Sequence, residues 1–157
     1  MVTICKYLFV ILLLCSASAS NKANEYSLGF GKGSMYTGLG LNYGRVSNKS
    51  FSYLSVGTYV LGYGPSIGLL YDYGFSSGYL STRYSKNNRN AIGVNIGVSY
   101  AKPSYQYEGS SFKAGIDYYH FFSGLGNRGW VLGVGVMIQI FGDEYSFGGP
   151  LNIGYQF

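Results

Sequence analysis

The sequence of 157 residues holds one histidine, His120, in the stretch Asp117-Tyr-Tyr-His-Phe-Phe-Ser123. A histidine with a carboxylate on one side and a hydroxyl on the other is a residue set for nucleophilic acyl chemistry, in which the imidazole takes the hydroxyl proton and the acid orients the ring. That chemistry needs the base within about 3 Å of the hydroxyl, and nothing in the spacing fixes such a triad. His120 shares the parity of Ile116 and Tyr118 near the end of an alternating segment, which predicts an outward, interfacial histidine. A second candidate is a set of four charges, Asp72, Arg83, Lys113 and Asp117, each on the small or polar side of such a segment. Charges that share a narrow interior must pair or cost several kcal/mol each. The expectation is a structural charge network of these four, Asp72 and Arg83 on neighbouring strands and Lys113 with Asp117 on one; a solute path or a catalytic pair is the alternative. Asp143 and Glu144 could hold a cation, but two acids in a turn are expected to be solvated. Gly29-Phe-Gly31 and Gly38-Leu-Gly40 are phosphate-loop spacings without the following helix that such a loop needs. No catalytic residue, metal site or cofactor is assigned.

These side chains must be positioned by the chain beyond its first twenty residues. Lys6, the apolar run from Tyr7 to Cys15 and the small residues Ala17-Ser-Ala19 read as a cleavable export signal, cut near Ala19 or Ser20. The apolar run is too short to cross a bilayer as a helix, which takes about 20 residues. Leu14 before Cys15 argues against a lipoprotein signal, which wants a small residue there. Cys5 and Cys15 both leave with this leader, and residues 21–157 form one domain with no disulfide or thiolate site. Ten Lys and Arg then face six acids, scattered rather than clustered, which excludes a nucleic-acid footprint.

The remaining chain alternates with a period of two. Ile92, Val94, Ile96, Val98 and Tyr100 stand against Gly93, Asn95, Gly97 and Ser99, and Trp130, Leu132, Val134, Val136, Ile138 and Ile140 repeat the pattern. Alternation of this kind marks strands with one apolar face. Eight segments carry it: 36–44, 52–62, 66–75, 79–85, 91–100, 111–122, 129–141 and 151–157. The stretch 25–33 alternates too and is left open as an extra strand, an extension of the first hairpin or a periplasmic lead-in; because bacterial barrels have even counts, eight strands are expected, with ten as the fallback.

An all-β chain of this kind is either a soluble sandwich or a transmembrane barrel. A soluble outer surface is typically about a quarter to a third charged, whereas the faces opposite the apolar stripes here are mostly Gly, Ser and Asn. A lipid-facing apolar stripe around a small packed lumen accounts for that poverty of charge, and glycine on the inner face leaves room for tyrosines from neighbouring strands. Tyr43, Tyr71, Tyr73, Phe75, Tyr100, Tyr118, Trp130, Tyr155 and Phe157 lie toward the ends of the stripes, where headgroup-level aromatics belong.

On these grounds the chain resembles the small bacterial outer-membrane barrels, the class of the OmpX family and the OmpA membrane domain. The sharpest element is the last strand, in which Leu151, Ile153, Tyr155 and Phe157 alternate up to a terminal aromatic, with Asn152 where the class often has Gly. The resemblance implies a transmembrane antiparallel up-and-down barrel. The partners it implies are outer-membrane lipid, the barrel-assembly machinery that reads the terminal stripe, and an extracellular ligand or host surface. It implies an outer-membrane location with the C-terminus in the periplasm and 101–110 as an outer loop. The role expected is structural, adhesive or surface-interacting. The alternatives are a membrane-embedded lipid-modifying enzyme, although His120 lacks the His-x-Ser-Asn spacing of the lipid A deacylases, and a narrow-pore channel.

Overall fold

A computed structural model of the protein describes residues 25–64, 68–101 and 109–157. The predicted leader, with Ala17, Ala19 and Ser20, lies outside the described residues, as does most of the predicted outer loop 101–110. Among the described residues the strands are β1 (Tyr26–Gly33), β2 (Gly38–Ser47), β3 (Ser50–Gly64), β4 (Gly68–Ser81), β5 (Asn90–Ala101), β6 (Gly109–Phe121), β7 (Gly129–Phe141), β8 (Glu144–Gly148) and β9 (Leu151–Gln156). Neighbours from β1 to β7 pair antiparallel in chain order, and β9 pairs with both β7 and β1, which closes the sheet. Pairing partners followed round from Leu132 run through Ile153, Lys32, Leu39, Thr58, Tyr73 and Tyr100 to Ser110. They return to β7 beyond Phe141 rather than at Leu132. That stagger is the shear a closed barrel of tilted strands requires.

β8 and β9 both lie along β7, on either side of Gly149-Pro150, and together fill the eighth wall position. Proline has no N–H for a ladder, yet the Pro150 carbonyl still accepts from the Gly135 N–H at 3.1 Å. The barrel therefore has eight wall positions, as expected, but three are filled differently from the expectation, the eighth because Glu144–Gly148, read as part of a turn, forms β8. Residues 25–33, left open, contain β1. Segments 66–75 and 79–85, expected as two strands, form the single strand β4 and the turn after it. Ser76-Ser-Gly78 reads as a break but stays in register with β3 and β5. Small residues are needed there because a Cβ on Gly78 would lie 2.4 Å from the Tyr53 ring.

The alternation sorts the two faces. Along β5, Ile92, Val94, Ile96, Val98 and Tyr100 point outward while Ala91, Asn95 and Ser99 are buried. Outward residues are apolar and open: Leu54, Phe75 and Val136 are each about two-thirds exposed, at 67%, 68% and 67%. An unbroken outer belt of this kind far exceeds the apolar patches that soluble monomers expose. At the end that holds Glu25 and Phe157 the belt finishes in aromatic pairs, Tyr26 on Tyr43 at 5.8 Å and Trp130 on Tyr155 at 5.6 Å.

The interior is filled in two layers. Val46, Phe51, Leu80, Phe121, Leu125 and Val131 form an apolar layer near the terminal end. Toward the middle, the chain between β1 and β2 turns into the lumen as a short 3-10 turn, Ser34–Tyr36, all three residues buried. Gly33, at φ 126°, permits the inward bend, since L side chains rarely adopt that conformation. The Tyr36 ring lies on Gly31 and Gly154, where an added Cβ would come within 2.6 and 2.3 Å of it. Inner-face glycine thus makes room for tyrosine across the barrel.

Candidate functional site

The polar residues of the lumen form the one place where charge and hydrogen-bonding capacity converge among the described residues. β4 brings Asp72 and β6 brings Lys113 to face each other, both nearly inaccessible, with Lys113 Nζ 2.8 Å from Asp72 Oδ2. Ser99 Oγ, on β5 between them, donates to the same oxygen at 2.6 Å. The Lys113 ammonium also sits 3.6 Å from the centre of the Tyr59 ring, a cation–π contact from β3. Asp72 Oδ1 is buried without a hydrogen-bond partner among the described residues. Ser111 extends the chain, its hydroxyl 2.7 Å from Ser99 Oγ and accepting from Gln139 Nε2 at 3.1 Å.

Asp117, on the same inner face of β6, belongs to a second group. Its carboxylate accepts from Ser34 Oγ at 2.9 Å, from Asn152 Nδ2 at 3.3 Å and from Asn95 Nδ2. Asn152 Oδ1 in turn accepts from the Met35 N–H at 3.2 Å, which pins the inward turn to β9. Beside it Thr37, Ser55 and Ser76 form a triangle of hydroxyls 2.6 to 2.8 Å apart. Thr37 has φ 55°, an outlier for a β-branched residue, and these bonds hold it there. Between the two carboxylate groups lies a cavity of about 10 Å3 lined by Ser34, Thr37, Tyr59, Ser76, Asn95 and Lys113, among others. Its size suits one water molecule, with Ser34, Asn95 and Lys113 among the polar groups at its wall.

Of the four charges expected inside, the structure gathers Asp72, Lys113 and Asp117 and leaves Arg83 out. Arg83 is exposed in the turn after β4. The correction follows from strand continuity: once 79–81 continues β4, the inward parity of Asp72 passes to Leu80 and Thr82, and Arg83 falls on the other side. The partner of Asp72 is Lys113. The sequence reading also missed the neutral members, Ser34, Asn95 and Asn152. Part of their signal was present, since Asn95 and Asn152 alternate with outward apolar residues, but an amide on a polar face does not announce the carboxylate that it will meet. His120 lies on the outer side, its Nδ1 2.7 Å from Asn90 Oδ1 and its ring edge-on to Phe122 at 4.9 Å; no hydroxyl bonds to it among the described residues. Asp143 and Glu144 are exposed in and beside the turn between β7 and β8.

This geometry defines a closed eight-position antiparallel barrel with an apolar exterior and a packed polar lumen. One solved structure that it matches is the backbone structure of the Yersinia pestis outer membrane protein Ail in a phospholipid bilayer nanodisc, at a TM-score of 0.52 and 15% identity over 85% of this chain and 99% of that one. The fold is thus that of the small outer-membrane barrel proteins. No family model matches the sequence, and no curated protein does.

Proposed function

We propose that the protein is an outer-membrane barrel that acts through its wall and its ends, as an envelope or surface-interaction protein, and not by conducting or catalysing within its lumen. The observation that carries this reading is the filled interior: Tyr36, Met35, Phe51 and Tyr119 are buried across the lumen, and Asp72, Lys113 and Asp117 have their hydrogen bonds turned on interior partners. A conducting path would need those charges to face water, and a hydrolase would need its hydroxyl and base open to substrate, whereas Ser34 on Asp117 and Ser99 on Asp72 are all buried. The protein, exported through its leader, should fractionate with outer membranes and migrate differently on gels before and after heating. Recovery as a soluble monomer without detergent would overturn the reading.

The terminal stripe supports assembly by the machinery of that membrane. Leu151 and Ile153 point outward, the Tyr155 and Phe157 rings meet at 5.0 Å with a 60° tilt, and the Phe157 N–H donates to the Leu28 carbonyl at 2.8 Å beside the barrel seam. Deleting Phe157 should lower the amount of folded protein in the outer membrane and increase periplasmic degradation. Deleting a turn residue such as Lys86 should do neither, and equal membrane levels for the two variants would show that the terminus is not the signal.

A further inference from the structure

Among the described residues the charges outside the lumen are divided unevenly between the two ends. Arg45, Lys49, Arg83, Lys86, Arg89 and Arg128 all lie at the end that holds Glu25 and Phe157, in or beside the turns 48–49, 82–89 and 122–128. Glu25 is the one acid there among the described residues, and Arg45 holds it at 3.2 Å. Lys49 and Arg83 have no ion-pair partner among the described residues. Both line a groove of about 560 Å3, whose remaining walls are Ser47, Asn48, Ser50 and Asn88. Every lining residue is a cation, a hydroxyl or an amide, and no acid enters it.

The groove has a fixed frame. The Lys49 carbonyl accepts from the Thr82 N–H at 2.8 Å and from Thr82 Oγ1 at 3.3 Å, which ties the first turn to the second. Thr82 Oγ1 also lies 3.2 Å from Asn88 Oδ1, and the Asn88 carbonyl accepts from the Leu125 N–H at 2.8 Å. Asn48 and Asn88 both take positive φ, 31° and 54°, the conformation in which asparagine closes a tight turn. Two cations thus line a polar groove whose turns are tied together, a lining that suits an anion with several oxygens.

The geometry points to an anionic phospholipid headgroup as the occupant. The groove sits at the rim of the lipid-facing belt, with half-exposed Tyr84 next to Arg83 and the Tyr26–Tyr43 pair on the wall beside it. Aromatics of that kind mark headgroup level, so a phosphate at that depth would lie within reach of both cations while its acyl chains lay against the wall. A soluble anion would have no use for that continuity with the belt. The inference rests on the membrane reading above and adds a lipid class to it.

The chain from Asn21, folded in a non-ionic detergent, can be titrated with dihexanoyl phosphatidylglycerol, dihexanoyl phosphatidylcholine and inorganic phosphate while the Lys49 and Arg83 amide resonances are followed. Phosphatidylglycerol should shift both saturably, and phosphatidylcholine should not. Lys49→Gln and Arg83→Gln should each weaken binding by about fivefold, the share of one cation near an anionic surface, and added salt should weaken it further. Equal response to the two lipids, unchanged affinity in the variants, or inorganic phosphate binding as tightly as phosphatidylglycerol would each overturn the proposal. Heat-modifiable mobility of the same samples reports on the barrel separately, so a folded barrel that fails to bind refutes the groove and leaves the membrane reading standing.

Discussion

Asp72→Ala is expected to destabilise the folded barrel by about 3 kcal/mol, because removing one partner of a buried ion pair leaves the other charged in a low-dielectric interior. Lys113 would keep its contact with the Tyr59 ring, worth about 1 to 2 kcal/mol when desolvated, and so would not be wholly abandoned. Lys113→Met alone should cost a comparable amount, since Asp72 would retain only Ser99 as a donor. The double variant should recover part of the loss, with no lone charge remaining. Unfolding by urea in detergent for both singles and the double measures the coupling. Strictly additive effects would show that the pair contributes nothing as a pair. Arg83→Ala, at an exposed turn, should leave stability nearly unchanged, which separates this pairing from the one that the sequence alone suggested.

Gly154→Val should be at least as damaging. A Cβ at residue 154 would meet Tyr36 Cζ and Oη at 2.3 Å, and Gly31, the register partner of Gly154, lies against the same ring. Tyr36 cannot retreat, because the turn that carries it is tied to β9 through Asn152. Overpacking in a rigid core costs about 1 to 3 kcal/mol and occasionally more, and here the clash also falls on the β1–β9 seam that closes the barrel. Tyr36→Leu should cost about as much through the cavity it leaves. Combining the two should be less damaging than their sum. A double variant as unstable as additivity predicts would mean that ring and glycine do not meet.

What was legible in the sequence was the wall. Period-two alternation needs only a residue's neighbours to be read, and it identified which side of β5, β6 and β7 meets lipid. What was hidden was the set of contacts across the lumen. Ser34-Met-Tyr36 carries no pattern of its own, and its inward course depends on Gly33 and on a gap prepared by Gly31, Gly40 and Gly154 on three strands. The break assigned near Ser76-Ser-Gly78 failed for the same reason: Gly78 is small because Tyr53 needs the space, not because the chain turns. That one misplaced boundary reversed the parity of Arg83 and gave Asp72 the wrong partner. Turn chemistry and close packing both select glycine and serine, and only the three-dimensional neighbour distinguishes them.

If the apolar side of each strand faces lipid and the polar side a closed interior, single spin labels will show it directly, because the chain from Asn21 contains no cysteine. Labels placed one at a time at Ile92, Gly93, Val94, Asn95, Ile96, Gly97 and Val98, in protein reconstituted into phospholipid bilayers, should show oxygen accessibility rising and falling with a period of two. Positions 92, 94, 96 and 98 should be high in oxygen and closed to a water-soluble nickel reagent, and 93, 95 and 97 low in both wherever the label lets the barrel fold. Nickel access at the outward positions would place the apolar belt in water, and nickel access at the inward ones would open the lumen; either result would contradict a closed membrane barrel.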